Sequence, residues 1–360
     1  MMRHSTRCFI KTRNRLAVTL RHIAAIRLSA LGDVAMTVPI LHALSQQYPE
    51  LRVTMVSRPF FKPLFDGLEN TTFLAADLAG KHKKLPGLLQ LSHDLKDRGV
   101  DGFADLHNVL RSHVISLLLR LSGITVATLD KARSQRSALT RPHNKKFSPL
   151  TPVTHRYAKV FADLGYALDL SALSAVPKLE PGIEMQAVSG VKNSKWLGIA
   201  PFAKHAAKVY PHDLMQQVID GLATDDLKIF LFGAGADEGR QLEQFASGRK
   251  NITIVAGKLS FAKELELISN LDAMLSMDSG NAHIAAMYGV PTVTLWGATH
   301  PFAGFAPFNQ PLSNALTSDR EKFPMLPTSI YGNKKVKGYE DAMRTILPQS
   351  VIEKIREILS

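Results

Sequence analysis

The chain has 360 residues, 45% of them apolar and 21% charged, with a formal net charge of +13. That length exceeds one ordinary core and predicts two domains of globular character. A single cysteine, Cys8, excludes an internal disulfide and fits a reducing compartment. No apolar run reaches the ~18 residues that a bilayer-spanning helix needs.

The first residues, MMRHSTRCFIKTRNRLAVTLRH, are basic and lack both an apolar core region and a small-residue cleavage site, so they do not read as a secretory signal. Residues 1–21 are taken as a basic extension: an arm touching acidic lipid, a disordered stretch, or sequence upstream of the true start. Short apolar strands follow at 22–27, 52–57, 72–75, 102–106 and 124–129, with helical stretches at 34–47, 59–66, 86–98 and 109–121. Alternating strands and helices predict a parallel sheet covered by helices. Residues 131–149 carry six Lys and Arg and no acid, and a helix-like piece follows at 155–166. Together, 22–170 form the first expected domain. Residues 171–195, rich in Pro, Gly and Ser and without a clear period, read as a linker.

The alternation restarts with strands at 196–200, 227–233, 251–256, 271–277 and 291–297 and helices at 212–223, 236–247, 260–269 and 280–288. This gives a second domain over 196–337 and a helical tail over 338–360, whose end, SVIEKIREILS, is amphipathic. The fold class is therefore α/β, with two doubly wound parallel sheets whose carboxyl ends face a shared cleft, where ligands bind.

Charge is divided unevenly between the halves. Residues 1–160 hold 25 Lys and Arg against 10 Asp and Glu, a balance of +15, while residues 161–360 hold 19 against 21, a balance of −2. Solubility alone does not segregate charge, so the first half is expected to meet an anionic partner. A nucleic-acid module would interleave aromatics with its cations, and 131–146 has none, so phosphate or carboxylate groups are the expected target.

Four segments carry chemistry. The stretch RLSALGDVAMTVP, residues 27–39, follows the apolar run HIAAI and places one glycine and an acid, Asp33, at a helix start. A phosphate turn offers bare amides and more glycine, so this carboxylate stands where an anion would sit. The plain alternative is Asp33 as an N-cap. The second segment, MDSGNAHIAAMYGVP at 277–291, ends a strand in Asp278, turns through Ser279 and Gly280, and starts a helix bearing His283 on its first exposed face. Free N–H groups and the dipole at that helix start suit a diphosphate; the alternative is a capped helix with a surface histidine. The third, APFAKHAAKVYP at 200–211, brings Lys204, His205 and Lys208 to a loop where a lysine reaches a phosphate as a mobile charge. The fourth, FLFGAGADEG at 230–239, resembles a dinucleotide glycine turn, but the next strand, NITIVAG, ends without the acid that would hold a ribose. Asp237 or Glu238 would reach a ribose hydroxyl instead.

There is no H-E-x-x-H, paired cysteine, D-x-D or G-x-S-x-G, so no protein metal site, metal-held sugar nucleotide motif or hydrolase elbow stands out. The glycine turn leaves an NAD(P)-dependent oxidoreductase open; with the resemblance described next, a glycosyltransferase leads, and a catalytically silent sugar-nucleotide or glycolipid binder is the third class.

In combination, S-A-L-G-D-V, K-V-Y-P and M-D-S-G-N-A-H-I-A-A-x-x-G-V-P followed by W-G-A-T resemble the lipopolysaccharide heptosyltransferases, the ADP-heptose-using glycosyltransferases of family nine. The resemblance runs over residues 22–350 and is most specific in the 277–291 segment. It implies a GT-B fold of two facing Rossmann-like domains, the first taking the acceptor and the second the nucleotide-sugar, with inverting, metal-independent transfer and no cofactor. By the same resemblance Asp33 is the general base, Lys208 acts beside it in catalysis, and Lys204, Lys208, Asp278, Ser279, Gly280, His283 and one of Asp237 and Glu238 hold the donor. The cationic half is expected to hold an anionic glycolipid, lipid A carrying Kdo sugars, through Arg58, Lys131, Arg133, Arg136 and Arg141. The protein is then a cytoplasmic monomer, peripheral on the inner membrane, touching it by charge and by apolar residues such as Phe60 and Phe61.

Overall fold

A computed structural model describes residues 20–360, so Cys8 and most of the basic extension lie outside the described residues. The first half builds a five-stranded, all-parallel sheet in the order β3-β2-β1-β4-β5, from β1 (His22–Ile26), β2 (Arg52–Ser57), β3 (Thr71–Ala75), β4 (Gly102–Asp105) and β5 (Thr125–Thr128). The run HIAAI is buried along its whole length, as a strand covered on both faces must be. Its side chains alternate. Ile23 and Ala25 pack toward α1 (Leu31–Ala35), α2 (Val38–Gln47) and, later in the chain, α6 (Val153–Ala162). Ala24 and Ile26 pack toward α3 (Lys84–Asp97) and α4 (Leu110–Leu121). The short α5 (Arg133–Thr140) follows the last strand.

The second half builds a six-stranded parallel sheet in the order β11-β10-β9-β6-β7-β8, from β6 (Lys195–Ala200), β7 (Leu227–Leu231), β8 (Ile252–Ile254), β9 (Ala273–Met277), β10 (Thr292–Trp296) and β11 (Ala315–Thr317). Its helices are α7 (Ile183–Ser189), α8 (His212–Leu222), α9 (Gly235–Ala246), α10 (Phe261–Ser269), α11 (Gly280–Met287) and α12 (Pro348–Leu359). The tail helix α12 buries Val351, Ile352 and Ile355 in the core it shares with α8.

Several local expectations change. The single helix expected over 34–47 is two, α1 and α2, because Pro39 has no N–H to donate back and starts a new helix. Residues 59–65 form a 3₁₀ turn, with Pro59 and Pro63 removing two donors from any α-helix there. The stretch read as a linker contains α7, which packs on α10. Of the two phenylalanines expected at a membrane contact, Phe61 is buried in the core, while Phe60 is 58% exposed and stacks on Phe261 of α10 in the other lobe, ring centroids 4.6 Å apart.

In both sheets strand order reverses next to the first strand of the half, between β1 and β4 and between β6 and β9. These are the switch points where loops diverge and leave a crevice. The two crevices face each other because α1 packs against α11.

Candidate active site

Loops from the carboxyl ends of β1, β4 and β5 on one side, and β6 and β9 on the other, enclose a cleft of about 730 Å³. Two close approaches fix its width. A Cβ added to Gly32 would lie 2.5 Å from His283 Cδ2, and one added to Gly280 would lie 2.7 Å from Leu31 Cδ2. Each lobe thus uses a glycine to admit a side chain of the other. His283, expected on an exposed face, is buried against Gly32; burial lowers its pKa and keeps the imidazole neutral, with Asp278 and Asp33 opposing and Lys208 reinforcing the shift.

Asp33 lines the cleft. It is the third residue of α1 and not its N-cap, and its Oδ2 accepts the Ala30 N–H at 3.3 Å. Its Oδ1 lies 2.6 Å from the Arg27 guanidinium. Arg27 is buried, donates a second bond to the Leu106 carbonyl at 2.8 Å, and sits 6.0 Å from the Tyr157 ring centroid. The Tyr157 hydroxyl donates to the Asp33 carbonyl at 3.3 Å. The acid is therefore clamped by its side chain and its backbone, and Oδ2 keeps spare lone pairs.

Across the cleft, Lys208 Nζ lies 2.9 Å from Asp278 Oδ2, which also accepts the Thr299 hydroxyl at 2.8 Å. Asp278 thus binds the lysine and is not itself free to meet a phosphate. Ser279 is the N-cap of α11, its hydroxyl 3.0 Å from that of Ser276, and Ser279 and Gly280 line the cleft beside the unpaired N–H groups of the helix start. Lys204 is exposed on the rim, with His205 beside it.

The floor on the first lobe is cationic. Lys131 and Arg136 line it with Arg27 and His107. The Arg136 guanidinium lies 4.8 Å from the Phe305 ring and donates to the Tyr331 hydroxyl at 3.2 Å. Burial and the positive charges of Arg27, Lys131 and Arg58 push His107 down to about 3, so it is uncharged at neutral pH. Lys131 is lowered by burial and by Arg27, Arg133 and Arg136. Apart from Arg27, which pairs with Asp33, none of these cations makes a salt bridge among the described residues, and such crowding favours an anion in the cleft.

Five expected residues do not line this cleft. Arg58, Arg133 and Arg141 are exposed, and Arg141 donates its Nε–H to the Asn144 carbonyl at 2.7 Å. Arg133 and Arg136 share a face of α5, but Arg133 is its first residue and stays exposed at the helix start, while Arg136, one turn further on, is buried. Asp237 is exposed and pairs with Arg240. Glu238 is half-buried, and its Oε2 accepts the Ala234 N–H at 2.7 Å beside the glycine turn. Arg27, His107, Tyr157, Tyr331 and Phe305 were not anticipated. Arg27 stood in the segment already singled out, and a cation closing a strand six residues before a cleft acid was the available signal. The others come from loops remote in sequence.

Among the described residues no group of three or more His, Cys, Asp or Glu is placed to hold a metal ion, and no helix is long and apolar enough to cross a membrane.

Comparison with known proteins agrees with this architecture. The chain is 26% identical over 356 residues to lipooligosaccharide heptosyltransferase 2 of Haemophilus influenzae, covering 94% of this chain and 99% of the relative. It is 27% identical over 310 residues to lipopolysaccharide heptosyltransferase 3 of Escherichia coli K12, covering 81% and 87%. Its fold matches the crystal structure of a family 9 glycosyltransferase from Veillonella parvula with a TM-score of 0.73 at 18% identity, over 94% of this chain and 97% of that one. It matches E. coli heptosyltransferase WaaC with ADP with a TM-score of 0.65 at 17% identity, over 94% and 99%. The two facing sheets are thus a GT-B fold, and the oxidoreductase alternative is set aside. The sequence model described as glycosyltransferase family 9 (heptosyltransferase) matches residues 88–329, two thirds of the sequence, and the chain belongs to that family of glycosyltransferases.

Proposed function

We propose that this glycosyltransferase moves heptose from ADP-heptose onto an anionic inner-core or lipid A acceptor of lipopolysaccharide, with inversion and without a metal. The observation that carries the reading is the pairing of clamped Asp33 with anchored Lys208 across one cleft. The acceptor hydroxyl attacks the anomeric carbon as its proton passes to Asp33 Oδ2, and the bond from that carbon to the diphosphate oxygen breaks, releasing ADP. Lys208, held by Asp278 through one of its three donors, keeps two for the departing diphosphate, and the N–H groups at the start of α11 take further charge. His283, neutral and wedged on Gly32, sets the spacing between the two turns. Of the two acids after the glycine turn, Glu238 is the one turned toward it and is assigned to the donor ribose. On the acceptor side Lys131 and Arg136 meet the phosphates and carboxylates of the glycolipid, with Arg58, Arg133 and Arg141 contributing long-range charge, while Arg27 stays with Asp33.

The domain roles follow: 22–170 for the acceptor, 196–337 for the donor, with the enzyme acting as a monomer on the cytoplasmic side of the inner membrane. The assay is ADP release and product mass with a panel of ADP-, UDP-, GDP- and CMP-sugars and Kdo-bearing lipid A. Turnover with ADP-heptose is expected. Turnover confined to a non-adenine donor overturns the donor assignment. A wild-type protein that binds ADP-heptose yet transfers nothing, as an Asp33→Ala variant would, identifies a silent binder.

A further inference from the structure

The helix α4 carries a feature that the cleft does not use. Leu110, Val114, Leu117 and Leu121 recur at spacings of four, three and four, which places them on one helical face. Most of that face looks away from the sheet: Leu110 is 80% exposed, Leu117 57% and Leu121 78%, while Val114, at its edge, is half-buried and packs against the core. The opposite face, with Ile115 and Leu119, fills the core, so α4 is apolar on two sides. Solvated helices put polar residues on the outer face. Neighbouring α3 continues the pattern with Leu85, 57% exposed, and Leu89, 39% exposed.

We infer that the outer face of α4, extended by the start of α3, is the surface by which the enzyme docks on an anionic bilayer. Charge selects this occupant. The helix has Arg111 near one end and Arg120 near the other and no acid, and α3 is preceded by Lys83 and opens on Lys84, while Lys81 is paired with Asp94 of α3. A second copy of the chain would bring the same cations face to face, whereas acidic headgroups complement them. Leucines submerged below a rim of arginines that reach up to the headgroups are the pattern of an interfacial helix. The stripe runs about 16 Å along the helix axis, from Leu110 to Leu121, enough to lie in the plane of a membrane surface.

Position supplies the purpose. The helix starts three residues after His107, a cleft-lining residue at the end of β4. The apolar stripe therefore begins within three residues of the acceptor side of the cleft. Docked this way, the enzyme meets a lipid acceptor whose sugar enters the cleft while its acyl chains stay in the bilayer. This purpose rests on the glycolipid reading above; the docking surface itself rests on α4.

The test is co-sedimentation of the full chain with vesicles of phosphatidylglycerol and phosphatidylethanolamine, and with phosphatidylcholine vesicles as the uncharged control. Gel filtration and turnover on a deacylated, water-soluble acceptor are measured in parallel. The variant is Leu117→Gln with Leu121→Gln; both sites are exposed, so the fold is kept and every cation, including those of the basic extension, is unchanged. The wild type is expected to bind the anionic vesicles and to release them in high salt. The variant is expected to lose roughly tenfold or more in partitioning, with turnover on the soluble acceptor unaltered. Equal partitioning of variant and wild type overturns the surface. So does a wild-type dimer that the variant converts to monomer, which would make the stripe a self-interface, or a wild type that ignores anionic vesicles. A wild type that docks but does not glycosylate the soluble acceptor overturns the acceptor assignment and leaves the surface standing.

Discussion

The two turns that face each other across the cleft are built alike and used oppositely. In the first lobe an acid, Asp33, projects into the cleft and a buried cation, Arg27, holds it at 2.6 Å. In the second lobe a cation, Lys208, projects and an acid, Asp278, holds it at 2.9 Å. Each worker has a holder of opposite charge, and each holder has a further anchor, the Leu106 carbonyl for Arg27 and the Thr299 hydroxyl for Asp278. A low net charge at each turn is thus compatible with a strongly polarised gap, because in each pair the partner to which the proposed chemistry is assigned, Asp33 or Lys208, is the more exposed of the two.

Replacing the workers should break the symmetry most severely. Asp33→Asn is expected to lower kcat by about 10³-fold while leaving ADP affinity intact, since a general base typically supplies that much; steady-state kinetics and calorimetry with ADP check it. Lys208→Met is expected to lower kcat by roughly 10²–10³-fold and to weaken ADP binding as well, because the same charge serves ground state and departing diphosphate. The two variants thus differ in binding even where they agree in rate.

Replacing the holders should sharpen it. Arg27→Met and Asp278→Asn are each expected to cost about 10²-fold or less through misplacement of an intact worker. Arg27→Lys should recover part of the loss, with KM for the donor unchanged, whereas Asp278→Asn should raise that KM.

Gly32→Ala tests whether the pairs need their spacing. Its new Cβ would meet the His283 ring at 2.5 Å, so the lobes must part or the ring must turn. Overpacking of this kind costs about 1–3 kcal/mol, read as a lower Tm, and kcat should fall although no ionised group has been altered.

The smallest effect lies on α10, away from both charged pairs. Burial pushes Glu264 on α10 up from 4.5 to about 7. The folded-state value lies above the unfolded one, so the neutral acid's contribution is full below about 4.5 and is lost as pH rises through about 7. Glu264→Gln should therefore raise Tm at pH 8 by roughly 2 °C or more and change little at pH 4, without altering turnover.

Much of this arrangement was legible in the sequence because periodicity marks strands and because each turn is local. The acid-bearing turn after HIAAI and the D-S-G helix start each occupy one short segment, and both reach the cleft. What was not legible depends on phase or on distance. Arg133 and Arg136 look equivalent as letters, and only the helix start decides which one turns inward. Phe60 and Phe61 likewise differ by one position and land at a lobe contact and in a core. Tyr157 and Tyr331 meet the cleft from segments far along the chain, and no local pattern places a tyrosine there. His283 was read as a surface residue because the residue pressing on it, Gly32, belongs to the other lobe.

One feature outside the cleft bears on how the lobes are joined. Lys145 donates to the carbonyls of Met325 and Pro327, each at 2.7 Å. A few residues on, Leu150 donates to the Phe302 carbonyl and Val153 to the Gly304 carbonyl, both at 2.8 Å. One lysine side chain and two backbone N–H groups of the first lobe thus all end on backbone carbonyls of the second. The lobes are therefore joined twice, by the α1–α11 packing at the cleft and by this row of carbonyl-bound donors, and their spacing does not rest on the glycine contacts alone.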